Sequence, residues 1–325
     1  MNSKEIQRRI KGIKNTKQIT KAMEMVAASK MRKATERVLA TRPYARLAWE
    51  ILNNLSGRVN PESHPLFQKR EIKKIGIILI TSDRGLCGAM NTQVIQEAIR
   101  FIEKIQKNII TTNQKENLLN DKQKPEIEFI TVGKKGRDFI KKHFKIFAEF
   151  TGFENISNIV EILPIIKIAI EDYKKCLYDK IILIYTDFIS TLKQKPMIRQ
   201  LLPLKQEEFK KTLNEIDHLG KIEKNFNQSK IENQKTIINQ QFEYKFEPNP
   251  DEVLEELLPR FLEIQIYQAL LESSASEHCA RMVAMKNATD AAKDLIDNLT
   301  MTFNQVRQAS ITQEITEIST GAQFV

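Results

Sequence analysis

The chain has 325 residues, 41% hydrophobic and 28% charged, with a formal net charge of +10. Such a chain is not wholly disordered and is long enough to bury a real core. With 10 glycines and 10 prolines it is too poor in turn residues for an all-β fold, and it leaves room for long helices. No apolar run reaches ~18 residues, so no transmembrane helix is expected, and the charged, amphipathic N-terminus lacks the apolar core of a secretory signal.

Residues 2–58 read as one long helix. Steps of three and four trace a stripe through Ile6, Ile10, Ile13, Lys17, Thr20, Met23, Ala27, Met31, Ala34, Val38, Thr41, Ala45, Ala48, Leu52 and Leu55, apolar at both ends and small or flexible between. Gly12 and Pro43 are its weak points, and Gly57 is the stop signal. This segment holds 14 Lys and Arg against 4 Asp and Glu, so all the excess positive charge sits here and calls for an anionic partner or solvent.

Residues 72–204 change character. Ile75–Thr81, Ile127–Val132 and Ile181–Thr186 are short, nearly continuous apolar runs, the pattern of strands covered on both faces. Helix-like stretches lie near 92–107, 134–143 and 157–176. This alternation predicts an α/β unit with a largely parallel sheet. Polar segments 106–126 and 205–240 read as surface insertions. Gln241–Phe246 alternates like a last strand, and Glu247–Pro250 closes the domain.

A second long helix starts near Asp251, read as its N-cap. Residues 260–320 contain neither Gly nor Pro and would form a rod on the order of 90 Å. Its seam runs through Leu254, Leu258, Phe261, Gln265, Gln268, Glu272, Ala275, Cys279 and Met282 to Ile296, Leu299, Phe303 and Val306. Two helices with narrow seams need each other. The expected fold is therefore α/β, with a long antiparallel coiled coil of the N- and C-terminal helices protruding from a central Rossmann-like domain. The expected division is 1–58, 72–246 and 251–325. The tip, roughly 300–325, should pass beyond its partner, carrying an apolar stripe at Ile311, Ile315, Ile318 and Ala322 that marks a partner surface.

Chemistry is harder to find. Ser82–Gly88 follows the first strand, where glycines often cradle phosphate, but neither G-x-G-x-x-G nor a P-loop is present; a tight strand-to-helix turn is the simpler reading. Cys87 beside Arg84 has no histidine near it in sequence and reads as a buried small residue. Asp83 and Asp187 each follow a strand but lack a base or metal partner. Cys87, Cys176 and Cys279 are too widely spaced for a metal site. No catalytic residue, cofactor or metal is expected. The basic helix keeps a nucleic-acid-binding coiled coil open as an alternative, and an α/β nucleotide enzyme is a third class that the missing phosphate loops disfavour.

Five motifs in order carry a resemblance: ITKAMEMVAASKMRK at Ile19–Lys33, TSDRGLCG at Thr81–Gly88, QLLPL at Gln200–Leu204, SEHCARMVAMKNATD at Ser276–Asp290 and RQASITQEITEI at Arg307–Ile318. Together they resemble the gamma subunits of bacterial F-type ATP synthases. Cys279 departs from the family's usual small residue, and the paired-cysteine insertion of the thiol-regulated chloroplast form is absent. The resemblance implies a non-catalytic rotor shaft inside a ring of alpha and beta subunits, with the α/β domain against the epsilon subunit and the c-ring and the nucleotide chemistry on the beta subunits. It implies no nucleic acid, membrane association through partners only, and a place on the cytoplasmic face of the bacterial inner membrane. Lys14, Lys17, Lys21, Lys30 and Arg32 would meet acidic levers of the beta subunits, Met23 matches a position passing those levers, and Arg307 and Gln308 match positions near upper beta contacts. Ile311, Ile315 and Ile318 would face the sleeve of the ring or a short overlap with the first helix.

Overall fold

The computed structural model describes residues 3–56, 64–68, 70–115, 125–153, 159–191, 193–204, 247 and 249–322. Its elements are α1 (Ser3–Ser56), β1 (Lys74–Ile80), α2 (Met90–Lys115), β2 (Glu126–Val132), α3 (Lys134–Ile140), β3 (Lys145–Phe150), a 3-10 turn (Ile159–Ile162), α4 (Leu163–Lys174), β4 (Lys180–Phe188), β5 (Gln194–Leu202) and α5 (Pro250–Ala322). The expected strand at Gln241–Phe246 and the polar segment 205–240 lie outside the described residues.

The chain forms two compact units. One comprises 31–85 and 89–277; the other comprises 1–30, 86–88 and 278–325.

The first unit is built on a five-stranded sheet of order β3-β2-β1-β4-β5. β1 pairs in parallel with β2 and β4, and β2 with β3; β5 is antiparallel to β4. The three apolar runs are its central strands, as the sequence predicts. Because side chains alternate across a strand, β1 feeds two cores. Ile75, Ile77 and Leu79 pack with Val94, Ala98 and Ile102 of α2. Ile78 and Ile80 pack with Ile165, Ile166 and Ala169 of α4, and with Leu258, Phe261, Leu262 and Ile266 of α5. Each of the Ile, Leu, Val and Phe side chains so removed from water contributes roughly 1.5–3 kcal/mol.

Three features differ from expectation. β3 and β5 have no counterpart among the expected strands. α2 runs on to Lys115, through the start of the polar segment 106–126. The N-cap of α5 is Asn249 rather than Asp251: the Asn249 side-chain oxygen accepts from the Glu252 backbone N–H at 2.8 Å, and the Glu252 carboxylate accepts from the Asn249 amide at 2.6 Å. The arrangement resembles a capping box, with the Asn249 side-chain amide in place of its backbone N–H as the second donor.

At the amino end of β2, Glu128 is 2% exposed. It accepts from Tyr178 Oη at 2.7 Å and from Lys74 Nζ at 3.1 Å, and it also pairs with Lys145. Burial pushes its pKa up, but the bonds from Lys145, Tyr178 and Lys74 outweigh that and hold it below the ordinary glutamate value.

In the second unit, Thr289 of α5 donates to Thr20 of α1 at 2.9 Å, so the two long helices touch there. Ile6, Ala27, Cys279, Met285 and Ala292 are buried in the same unit.

Candidate partner surfaces and the strand-end crevice

Doubly wound sheets bind ligands outside the carboxyl ends of the strands, where the strand order reverses. Here that point lies between β1 and β4. The loop following β1 is occupied by its own contacts. The first three backbone N–H groups of α3 are all taken: Lys134 N–H by Asp83 Oδ1 at 3.0 Å, Lys135 N–H by the Ser82 carbonyl at 3.1 Å, and Gly136 N–H by Thr81 Oγ1 at 2.9 Å. The other Asp83 oxygen accepts from Gly152 N–H at 2.7 Å. A carboxylate thus sits where a phosphate would have to bind, and would repel one. Gly133, at φ +100, makes the close approach to Thr81 that brings these groups together; a Cβ there would overlap the Thr81 carbonyl. Asp83 is a clamp between loops, and the tight-turn reading of Ser82–Gly88 holds.

α5 fills the rest of the crevice. Leu270, Ser273 and Glu277 stand against Thr81 and Asp83, leaving a cavity of ≈ 20 Å3, about the room of one water. Ser276 Oγ donates to the Thr186 carbonyl at 3.4 Å. Asp187, the second candidate acid, is buried. Cys87 is buried too, and burial raises the pKa of the Cys279 thiol. Neither is placed as a nucleophile. Among the described residues no cluster of His, Cys, Asp or Glu could hold a metal ion, and no helix is long and apolar enough to cross a membrane.

The helix surfaces follow the periodicity closely. Every described stripe position of α1, from Ile6 to Ala48, is buried or half-buried, and so is the α5 seam from Leu254 to Val306. Of the expected contact residues, Lys14, Lys21 and Arg32 are exposed, while Lys17, Met23 and Lys30 are half-buried on or beside the stripe. Lys21 pairs with Glu24 at 3.0 Å, an exposed contact of small energy. Lys14, Lys17, Lys21, Met23 and Lys30 share a unit with Arg307, Gln308, Ile311, Ile315 and Ile318; Arg32 falls in the other.

From Arg307 to Thr320 every residue of α5 is exposed. Ile311, Ile315 and Ile318 are 46%, 61% and 73% exposed. Thr312, Thr316 and Thr320 turn their hydroxyls back onto the carbonyls of Gln308, Thr312 and Thr316 at 2.9, 2.8 and 2.6 Å. Their hydroxyl protons are therefore bound within the helix rather than offered to a partner.

Sequence reasoning missed one further cluster. Burial drives the Tyr185 hydroxyl pKa well up; the charge of Arg199 opposes this, and those of Glu272 and Asp187 add to the rise. Gln268 Nε2 also donates to Glu272, at 2.9 Å. The signal was present in the polar residues Gln265, Gln268 and Glu272 on an otherwise apolar seam.

The ATP synthase family profile matches residues 2–325. The chain is similar to the ATP synthase gamma chain of Herpetosiphon aurantiacus, 41% identical over 330 residues, covering 99% of this chain and 98% of the relative. It is also similar to that of Legionella pneumophila strain Corby, 37% identical over 322 residues and 98% of each. Among solved structures it resembles a chain of the Tetrahymena thermophila mitochondrial ATP synthase central stalk and c-ring, with 25% identity, TM-score 0.54, and coverage of 83% of this chain and 99% of that one. A chain of the Euglena gracilis mitochondrial ATP synthase, in an assembly of OSCP, F1 and c-ring, shares the fold at 20% identity and TM-score 0.58, over 99% of this chain and 93% of that one.

Proposed function

The chain belongs to the ATP synthase family, and on that premise we propose that it is the central-stalk rotor subunit of a proton-translocating ATP synthase. It carries torque between a membrane c-ring and a catalytic ring of alpha and beta subunits, coupling proton flow to ATP synthesis or hydrolysis. It performs no catalysis itself; nucleotide turnover belongs to the beta subunits.

The observation that carries this reading is where burial ends on α5: Val306 is the last half-buried position of its seam, and every residue from Arg307 to Thr320 is exposed. Let α1 and α5 pair as an antiparallel coiled coil. From the contact of Thr20 with Thr289, stepping back 17 residues on α1 to Ser3, its first residue, advances α5 by 17 to Val306. The partner helix ends where burial ends. Beyond Val306 the helix is bare and carries an isoleucine stripe, a surface that needs a sleeve.

In this assembly Ile311, Ile315 and Ile318 face the sleeve, and Arg307 and Gln308 meet the beta subunits above. Lys14, Lys17, Lys21, Met23, Lys30 and Arg32 pass the acidic levers below. The domains divide as 1–58, 72–246 and 251–325. The α/β domain rests against the epsilon subunit and the c-ring, so the chain sits peripherally on the cytoplasmic face of the inner membrane. A solvated, torque-bearing helix accounts for the basic charge of α1 without nucleic acid.

The test is reconstitution of this chain with alpha and beta subunits immobilised on glass, a bead on the α/β unit and ATP added. Continuous rotation in one direction is the expected result. A complex that hydrolyses ATP while the bead stays still would overturn the rotor reading.

A further inference from the structure

Two helices that meet along small side chains are held by area rather than by direction, because apolar burial is non-directional. The buried positions of the second unit include Ala27 of α1 and Ala292 of α5. A hydrogen bond, by contrast, depends on distance and angle, and one lies between these two alanines.

We propose that Thr20 and Thr289 form a register clasp between α1 and α5, as positioning residues that fix how far the tip of α5 projects. Thr289 is 8% exposed, Thr20 is half-buried, and their hydroxyl oxygens lie 2.9 Å apart. Each also reaches a carbonyl of its own helix: Thr289 Oγ1 is 2.8 Å from that of Met285, and Thr20 Oγ1 is 3.1 Å from that of Lys17. A hydroxyl has one proton and two lone pairs, so two arrangements are complete. In one, Thr289 donates to Thr20 and Thr20 to the Lys17 carbonyl. In the other, Thr20 donates to Thr289 and Thr289 to the Met285 carbonyl. The bond between the helices is present in both.

Sliding α5 by one turn, about 5.4 Å, parts the two hydroxyls but leaves each on its own helix carbonyl. Neither is orphaned, so losing the clasp costs register rather than folding. Fixing register is the best-attested use of a buried polar contact, in coiled-coil seams above all. Counted from this pair, Ser3 stands opposite Val306. A slip of one turn would cover or bare roughly four residues of α5 there, and would displace Arg307 and Gln308 along the shaft.

That consequence rests on the rotor reading, but the clasp itself is tested in the free full-length chain. Cys176, the exposed cysteine, is replaced (Cys176→Ser), and spin labels are carried by Lys11→Cys and Lys286→Cys, exposed positions of the same unit. Pulsed electron resonance should give one narrow distance in this parent. Thr289→Val keeps the branched shape without the hydroxyl, and should widen the distribution about twofold or add a second distance about one turn, ~5.4 Å, away. Thr20→Val should do the same. The double variant should do no more than either, because all three remove one bond. Thr289→Ser restores the hydroxyl and should keep the parent distance. The urea midpoint should barely move in any of them, whereas a bond with only a structural role would lower the midpoint and leave the distance single. A parent distribution in either valine variant, or a widened one in Thr289→Ser, would overturn the clasp. Should Thr289→Val lose helicity, Thr20→Val decides the matter. A parent complex whose bead never turns removes the rotor reading but leaves these distances, and the clasp, standing.

Discussion

Residues 261–277 and 307–320 belong to one continuous helix and meet opposite fates. In the first stretch only Glu263, Tyr267 and Ser274 are even half-exposed; in the second every residue is exposed. Hydrophobicity alone does not separate them. The buried stretch encloses Gln265, Gln268, Glu272, Ser273, Ser276 and Glu277, while the exposed one displays Ile311, Ile315 and Ile318. The first is packed against the sheet and α4, and the second is exposed along its whole length. Where a helix is enclosed, its polar residues must find partners inside the core; where it is bare, its apolar residues stand in solvent, as the partner surface of the rotor reading requires.

The strongest way to break this comparison is to truncate an isoleucine in each stretch. Ile266→Ala removes a fully packed side chain from the core shared by α4, α5 and the sheet, and should cost about 2–5 kcal/mol of stability in the free chain. Ile315→Ala should stay within about 0.5 kcal/mol, as surface changes do. Urea unfolding of the isolated chain measures both. A comparable loss from Ile315→Ala would mean that the tip is already enclosed by the chain itself. In the assembled complex the order should change, with Ile315→Ala now weakening assembly.

The sequence revealed much of this division because burial follows periodicity. The stripe through Ile6, Thr20, Ala27 and Val38 is the face that α1 hides, and a small or polar residue on the stripe does not obscure it. Two strands are hard to see in the sequence for physical reasons. β3 is an edge strand that alternates half-buried and exposed positions over only six residues, so it never shows a continuous apolar run. β5 carries Pro196, which argues against a strand but is tolerated here because β5 is the opposite edge. Over 261–277 the seam already turns Gln265, Gln268 and Glu272 inward, but the other faces of α5 are buried there too, which a single stripe does not show because the sheet and α4 close around the helix only in three dimensions. Of the candidate site, the isoleucine stripe and the basic helix are visible in the sequence, whereas the filling of the strand-end crevice by α5 depends on long-range contacts.

Acid sharpens the comparison at intermediate size. Glu128 titrates below its ordinary value in the folded unit, so the unfolded chain takes up that proton more readily. Its contribution to stability is complete above the ordinary carboxylate range and is lost as pH falls through the depressed folded value. In Glu128→Gln, the deficit in urea midpoint seen at pH 7 should shrink steadily through that window. A deficit that stays constant with pH would mean that the Lys74, Lys145 and Tyr178 contacts do not favour the ionised form. The helicity of the exposed tip should not follow this titration.

The smallest expected effect tests whether α1 is open where α5 is open. Gly12 lies inside α1 and is exposed, and a Cβ built on it meets nothing within 4 Å. Glycine in a helix interior costs roughly 0.5–1 kcal/mol relative to alanine, mostly through the freedom that the unfolded chain loses. Gly12→Ala should therefore stabilise the second unit of the free chain by about that amount, seen as slower hydrogen exchange around residues 8–16. The residue lies close to Lys14 and Lys17, which the rotor reading places beside partner subunits. If a partner backbone approaches α1 closely at this point, the added methyl group will clash there, and assembly will weaken although the free helix is firmer. If the contact is loose and water-filled, assembly will be unchanged. The sign of the assembly effect, set against the stabilisation of the free chain, then distinguishes a tight bearing from a wet one on this side of the helix, and a loss of stability in the free chain would show that Gly12 is already packed and the open-helix picture of α1 is wrong.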